Sequence, residues 1–164
     1  MKSLTKPYWD SNLPIYKVSQ AKLENEGIKG LILDVDGTLL SRNSTIIPLN
    51  VKEWIFESKK IFRIFLISNN PSKKRIEKIG NELGIDYKFK ALKPSKKKVI
   101  EVLKIFKEDN KNVAIIGDRI FTDILVGNRC NIKSILVQRL NKKGLPIFFN
   151  ITLLIEKFLS NFIL

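Results

Sequence analysis

The chain has 164 residues, a length typical of one domain with its own hydrophobic core. It carries 30 basic against 16 acidic residues, and the net charge of +14 favours partners such as phosphates, anionic lipid headgroups or nucleic acid. Compositional bias toward lysine is the alternative explanation. The absence of histidine excludes serine–histidine catalysis and histidine-based zinc sites, and the single cysteine, Cys130, excludes an intrachain disulfide.

The N-terminal residues, 1–27, are predicted to form an irregular arm with a short helix over 18–26. Their start lacks the apolar core of a signal peptide, and no stretch of the chain is long and apolar enough to span a membrane. A single cysteine fits a reducing compartment. We therefore expect a cytoplasmic protein.

An apolar, β-branched run over 28–34 predicts the first buried strand, at the centre of a parallel sheet. It ends in two carboxylates, Asp34 and Asp36, which are followed by Gly37 and Thr38. Acids this close repel each other unless a cation or a proton relieves them. The stretch alone fits a polar turn as well as an active site.

The rest of the chain alternates between helices and strands. Hydrophobic spacing and turn residues predict, in chain order, a helix at 51–60 with Asn50 as its N-cap, a strand at 61–67, a helix that begins at Pro71 and ends at Gly84, a short strand within 85–91, a helix at 95–109, a strand at 113–116, a short helix at 122–130, a strand at 135–137 and a helix at 150–164. This alternation predicts a single α/β domain, 1–164, built as a doubly wound parallel sheet.

Polar side chains recur just past the ends of the predicted strands. The carboxyl ends of parallel strands share one edge of a sheet, so these groups are expected to converge. They are Asp34 and Asp36, Ser68 with Asn69, Lys93, and Asp118 with Asp123. Such a set supplies a carboxylate nucleophile, a second carboxylate for proton transfer, phosphate donors and a fixed cation. Several acids without histidine or cysteine favour a hard cation, and Mg²⁺ is the expected cofactor.

Four ordered motifs carry a family resemblance across nearly the whole chain. They are Asp34-Val35-Asp36-Gly37-Thr38, Ser68-Asn69-Asn70, Lys93-Pro94, and Gly117-Asp118 through Asp123. The chain resembles the haloacid-dehalogenase (HAD) superfamily of phosphatases. The fourth motif, with Gly127-Asn128-Arg129, is similar to the capless subclass III A, which includes phosphatidylglycerophosphate phosphatases.

The resemblance implies a role for each motif. Asp34 would be the nucleophile that forms an aspartyl-phosphate, and Asp36 the acid and base, with its backbone carbonyl on Mg²⁺. Ser68 and the amide of Asn69 would hold phosphate oxygens, and Lys93 would neutralise the phosphoryl group. Asp34, Asp118 and Asp123 would complete the metal site, with Asp123 as a ligand or as a partner of the ligands. The short connections between the motifs leave no room for a cap domain, so the predicted fold is a HAD-like Rossmannoid sheet without a cap.

An open site suits a substrate that brings its own bulk. The first hypothesis is hydrolysis of phosphatidylglycerophosphate in phospholipid synthesis, by an enzyme in peripheral contact with the membrane. The alternatives are a polynucleotide 3′-phosphatase or another small phosphomonoester phosphatase, and a non-enzymatic Mg²⁺-binding scaffold. Lys96-Lys97-Lys98 could contact a nucleic-acid backbone, but no recognisable nucleic-acid module accompanies it, so no nucleic-acid partner is expected.

The C-terminal helix is predicted to be strongly apolar on one face. Its aromatic residues, with Phe148 and Phe149 before it and Phe158 and Phe162 within it, could meet a lipid interface. We favour the interpretation that this face covers the sheet, because such sheets need both faces covered. The sequence gives no prediction of the oligomeric state.

Overall fold

The computed structural model describes residues 3–147 and 151–160. The strands are β1 (Trp9–Asp10), β2 (Gly30–Leu33), β3 (Arg63–Ile67), β4 (Tyr87–Lys88), β5 (Val113–Gly117) and β6 (Lys133–Leu136). The helices are α1 (Gln20–Asn25), α2 (Leu49–Ser58), α3 (Lys73–Leu83), α4 (Lys97–Phe106), α5 (Leu125–Arg129) and α6 (Ile151–Ser160). Turns of 3₁₀ helix cover Ile15–Lys17 and Asn110–Asn112, and a π-helical turn covers Ile120–Ile124.

The six described strands form one parallel sheet in the order β1-β6-β5-β2-β3-β4. The chain builds outward from β2 through β3 to β4, then returns to the other side of β2 with β5. The change of direction therefore falls between β2 and β5, where ligands bind in open α/β sheets. The doubly wound fold predicted from the sequence is confirmed, and β2 lies at its centre.

Side chains alternate between the two faces of the sheet, and each face has its own apolar core. On one face, Leu31 and Leu33 of β2 pack with buried residues of α2 and α3. On the other, Ile32 packs with buried residues of α4 and α5. Full burial on both faces explains why β2 reads as a continuous apolar run. Cys130 is a free cysteine buried in the second core, where it packs as a small apolar residue.

The N-terminal arm is less irregular than predicted. Trp9 and Asp10 form the short strand β1, which pairs with Ile135 and Leu136 of β6 and closes that edge of the sheet. A two-residue strand leaves no period that a sequence pattern could reveal. The short helix of the arm is confirmed as α1, whose N-cap Ser19 accepts a hydrogen bond from the backbone N–H of Lys22.

The start of α2 also differs from the prediction. The helix begins at Leu49 after Pro48, so Asn50 lies within its first turn and is not the N-cap. The Asn50 side chain instead accepts from the backbone N–H of Val51 at 2.9 Å. At its other predicted boundary, α3 ends as expected at Gly84, which has left-handed backbone geometry with φ 61°.

The expectation that the apolar face of the C-terminal helix covers the sheet is wrong for its described residues. Glu156 is buried, whereas Leu154, Ile155 and Phe158 are more than half exposed. Glu156 accepts hydrogen bonds from the backbone N–H of Ile120 and from the Arg119 side chain, and the partly buried Leu153 packs against Ile120, Ile124 and Leu136, so α6 docks through both a polar and an apolar contact. Phe148, Phe149 and Phe162 lie outside the described residues. None of the described helices has both the length and the hydropathy needed to cross a membrane.

Candidate active site

A cleft of about 460 Å³ lies at the carboxyl ends of β2, β3 and β5. Most of the polar residues predicted from the strand ends line it, namely Asp34, Asp36, Ser68, Asn69, Lys93 and Asp123. Asp118 lies behind this surface, 1% exposed, and its carboxylate contacts Arg139 of the cleft wall. The structure therefore brings the predicted groups together, as the strand-end rule requires.

Lys93 is the centre of the floor of the cleft. Its Nζ donates to Asp34 Oδ1 and to Asp123 Oδ1, both at 2.6 Å, and to the backbone carbonyl of Ile67 at 2.9 Å. The three donors of the ammonium are therefore all used. Its side chain is only 1% exposed, which makes these charge pairs far less screened than surface ones.

Asp118 is the third acid of the floor and has its own cation. Its Oδ2 lies 2.5 Å from Nε of Arg139, and Thr38 Oγ1 lies 3.4 Å from its Oδ1. The same Thr38 hydroxyl lies 3.2 Å from Asp34 Oδ2. Thr38 thus connects two acids. We call Asp34, Lys93, Asp118 and Asp123 the buried charge cluster.

The acids of this cluster outnumber their cations. Burial, together with repulsion from Asp34, raises the pKa of Asp118 to about 6 although Arg139 opposes the change. Burial likewise raises the pKa of Asp123 to about 7, against the attraction of Lys93. Burial alone would lower the pKa of Lys93, but Asp123 and Asp34 outweigh it and the pKa is raised. The negative charge of the cluster is therefore only partly neutralised, and a further cation would be bound favourably.

Oxygen donors at this position suit a divalent cation. Asp34, Asp118 and Asp123 each offer a carboxylate oxygen, and these oxygens lie within 4.8 Å of one another. Carboxylate oxygens without imidazole or thiolate ligands fit Mg²⁺ better than zinc. Both oxygens of Asp123 already accept hydrogen bonds, from Lys93 and from the backbone N–H of Arg119. Asp34 and Asp118 each accept from a cation with one oxygen, and their other oxygens compete for the single hydroxyl proton of Thr38, so one of these two acids keeps a less committed oxygen.

Two glycines allow the strand ends to approach one another. Gly37 has φ 95°, and a Cβ there would lie 2.7 Å from the Asp118 carboxylate. A Cβ on Gly117 would lie 2.3 Å from Asp123. Any larger residue at either position would displace an acid of the buried charge cluster.

Ser68 and Asn69 of the second motif make different contacts. The Ser68 hydroxyl accepts from the backbone N–H of Asn70 at 3.0 Å, so its own O–H can still donate. The side chain of Asn69 bonds the backbone N–H and carbonyl of Lys93, at 2.7 and 2.9 Å. The Asn69 side chain therefore fixes Lys93, a contact that the sequence did not indicate.

Asp36 is oriented by α3, the helix that follows the second motif. Its Oδ2 accepts from Asn70 Nδ2 at 3.0 Å, and its Oδ1 lies 2.7 Å from Nη2 of Arg75. Arg75 and Arg139 are the two charged partners that sequence reasoning missed. Arg139 follows β6, so the strand-end rule could have found it. Nothing in the sequence distinguishes Arg75 from the lysines beside it.

Comparison with known proteins identifies the family to which the chain belongs. Residues 6–140 match the family model described as mitochondrial PGP phosphatase. The chain is 31% identical over 124 residues to the probable phosphatase YqeG of Bacillus subtilis, covering 75% of this chain and 72% of that protein. It is 28% identical over 133 residues to phosphatidylglycerophosphate phosphatase 1 of Arabidopsis thaliana, covering 76% of this chain but 38% of the longer plant protein.

Solved structures agree on the fold. The cobalt-bound deoxy-D-mannose-octulosonate 8-phosphate phosphatase (YrbI) of Haemophilus influenzae superposes with a TM-score of 0.53 and 17% identity, over 86% of this chain and 88% of that one. The parallel sheet without a cap is thus shared with other HAD-like proteins. From the family match and the YqeG relationship together, the chain belongs to the mitochondrial PGP phosphatase family of the HAD superfamily, and it is a phosphatase.

Proposed function

We propose that this phosphatase hydrolyses phosphomonoesters through an aspartyl-phosphate on Asp34, with Mg²⁺, and that its substrate is phosphatidylglycerophosphate. The observation that carries the proposal is the buried charge cluster, in which Lys93 joins Asp34 to Asp123 at the floor of an open cleft. Covalent catalysis of this kind splits one difficult hydrolysis into two easier steps.

In the first step, a carboxylate oxygen of Asp34 forms a bond to phosphorus while the bond to the leaving oxygen breaks. Asp36 gives its proton to the leaving alkoxide. In the second step, Asp36 takes a proton from a water that attacks the same phosphorus, which releases inorganic phosphate and regenerates Asp34. Both carboxyl groups line the cleft, as these roles require.

The other residues of the site bind and neutralise. The Ser68 O–H and the backbone N–H of Asn69 would hold phosphoryl oxygens, and the Lys93 ammonium would offset their charge. Asp34, Asp118 and the backbone carbonyl of Asp36 would hold Mg²⁺, and Asp123 would keep Lys93 in place beside them. When bound, Mg²⁺ supplies charge neutralisation at the phosphoryl group.

Cations on the wall of the cleft support a substrate with a second anionic group. Arg42, Arg119 and Lys142 line the cleft together with Arg139. We call Arg42, Arg119 and Lys142 the basic rim. Phosphatidylglycerophosphate carries a phosphodiester next to its terminal phosphomonoester, so the basic rim matches its chemistry. The family model and the Arabidopsis relative point to the same substrate.

A substrate panel tests this proposal. Phosphate release is compared for short-chain phosphatidylglycerophosphate, glycerol 3-phosphate and an oligonucleotide 3′-phosphate, each with Mg²⁺. The lipid is expected to have the highest kcat/KM, and Arg42→Met with Lys142→Met should lower that value more than the value for glycerol 3-phosphate. Preference for the oligonucleotide would replace the lipid assignment with the polynucleotide one, and no turnover of any phosphomonoester would refute the catalytic assignment.

Peripheral membrane contact is part of the proposal. Helix α6 is anchored to the wall of the cleft through Glu156 and Arg119, and its Ile155 and Phe158 are 53% and 63% exposed. Exposed apolar residues beside a basic surface favour binding to an anionic bilayer, where each basic side chain near the surface contributes about 1 kcal/mol. Ile155→Ser with Phe158→Ser should weaken cosedimentation with anionic vesicles, and Ile105→Ser on α4, similarly exposed, is the control. Equal binding by all variants would exclude α6 from the contact.

A further inference from the structure

We propose that Arg75 is a positioning residue that orients the carboxylate of Asp36 and couples it to the loop 41–44 at the edge of the cleft. The inference rests on the proposed function, because it takes Asp36 to be the acid and base. Arg75 does not line the cleft, so its effect must pass through the residues that it contacts.

The contact between the two side chains is close and largely shielded from solvent. Arg75 Nη2 lies 2.7 Å from Asp36 Oδ1, with the two side chains 13% and 16% exposed. An ion pair at such low exposure is screened less than one on the open surface. The guanidinium would stabilise the negative charge that develops on Asp36 as it delivers its proton.

The same guanidinium holds the loop that follows the first motif. Its Nε and Nη2 donate to the backbone carbonyl of Ser44 at 3.2 and 2.8 Å, and Nη2 also lies 3.5 Å from the carbonyl of Ser41. Ser41 and its neighbour Arg42 line the cleft. One side chain therefore connects the proposed acid to a segment that a substrate would touch.

The start of α3 fixes both partners of Asp36 together. Ser72 is the N-cap, and its side chain accepts from the backbone N–H of Arg75 at 3.3 Å. The Asn70 side chain accepts from the backbone N–H of Ser72 at 2.9 Å, while its Nδ2 donates to Asp36. A single helix start thus aims both Asn70 and Arg75 at one carboxylate.

This arrangement orients Asp36 without locking it. Among the described residues, the buried Nη1 of Arg75 has no hydrogen-bond partner, and the contact of Nη2 with Oδ1 lacks the angle of a good hydrogen bond. A closed bidentate pair would hold the carboxylate more tightly. A group that passes a proton to a leaving oxygen and later takes one from water benefits from this remaining freedom.

The test exploits the leaving group. An acid matters more when the departing oxygen is more basic, so phenyl phosphate needs Asp36 more than p-nitrophenyl phosphate does. We expect Arg75→Met to lower kcat/KM for phenyl phosphate about 10- to 100-fold more than for p-nitrophenyl phosphate, since general acids contribute on the order of 100- to 10,000-fold. Arg75→Lys, which keeps the charge but loses the fork, should fall between wild type and Arg75→Met.

Two further variants separate the possible failures. Lys74→Met removes an exposed charge from the neighbouring position of α3 and should change neither ester's kcat/KM. Asp36→Asn defines the leaving-group dependence of a missing acid. If Asp36→Asn lowers kcat/KM equally for both esters, the assigned role of Asp36 is wrong and the inference is overturned with it. If Asp36→Asn discriminates between the esters and Arg75→Met and Arg75→Lys do not, the inference alone is overturned. Thermal unfolding of each variant identifies a loss of fold, and Arg75→Lys carries the test if Arg75→Met unfolds.

Discussion

Lys93 and Lys96 lie three residues apart and carry the same charge in two very different environments. Lys93 is buried between Asp34 and Asp123, whereas Lys96 is exposed at the start of α4. The net charge of +14 counts both equally. A cation fixed in a buried site of low effective dielectric constant acts strongly on every charge nearby, but an exposed one is screened by water and salt. The position of a lysine relative to the strand ends, and not the basic composition of the chain, therefore decides whether it belongs to the site.

The largest expected effect is the loss of activity in Asp34→Asn. The variant removes the proposed nucleophile from the buried charge cluster, so phosphate release is expected to fall to the detection limit. Asp109→Asn is the matched control, because that carboxylate is 72% exposed and outside the cluster. Turnover of purified Asp34→Asn above a trace would show that another group attacks phosphorus.

Metal removal should have nearly the same effect. Activity is expected to vanish in EDTA and to return with Mg²⁺, because the acids of the buried charge cluster lack enough positive charge. Ca²⁺ should restore it poorly, since its longer and looser coordination misplaces the reacting carboxylate. Undiminished turnover of a thoroughly chelated enzyme would argue against a metal at Asp34 and Asp118.

The comparison of the two lysines makes the third prediction. Lys93→Met should cost far more activity than Lys96→Met, and it should also destabilise the fold by about 3–5 kcal/mol because buried carboxylates lose their partner. Lys96→Met should leave both unchanged within error, as expected for a solvated charge. Steady-state kinetics and urea unfolding measure the two effects. Similar losses in both variants would mean that burial does not distinguish these lysines.

The smallest predicted effect is a dependence of stability on pH. The pKa values of Asp118 and Asp123 are raised in the folded protein to about 6 and about 7, partly by Asp34. Their protonated forms are thus favoured by folding, and this contribution to stability is present at low pH and is lost as pH rises through the folded pKa values. In the absence of metal, the melting temperature of Asp34→Asn minus that of wild type should therefore increase between about pH 4 and about pH 7. A difference that stays constant would indicate that Asp34 does not repel these acids.

The convergence of the catalytic motifs was predictable because it follows from one rule. Asp34, Ser68, Lys93 and Asp118 all follow elements of a parallel sheet, and parallel strands must end at one edge. The role of Arg75 was not predictable in this way. Three lysines surround it on α3, and only the phase of the helix and the fold of loop 41–44 show which basic side chain turns inward.

The ends of the chain show a second limit. Strand β1 is formed by pairing with β6, which is distant in sequence, so no local pattern marks it. The apolar face of α6 predicted contact with the sheet, but its Leu154, Ile155 and Phe158 are exposed, and the helix docks through the buried Glu156 and through Leu153. Periodicity reports which residues share a face, and it does not report what that face contacts.

Acid-quenched mapping of phosphorylated peptides, during turnover of p-nitrophenyl phosphate by Asp36→Asn, would show directly whether Asp34 is the nucleophile. This ester has a good leaving group, so it should still phosphorylate the enzyme, while the missing base slows the release of phosphate. We expect one phosphoryl group on the peptide that contains Asp34, and none when Asp34→Asn is added. Nitrophenol release with no phosphoryl group on Asp34 at any time point would contradict it.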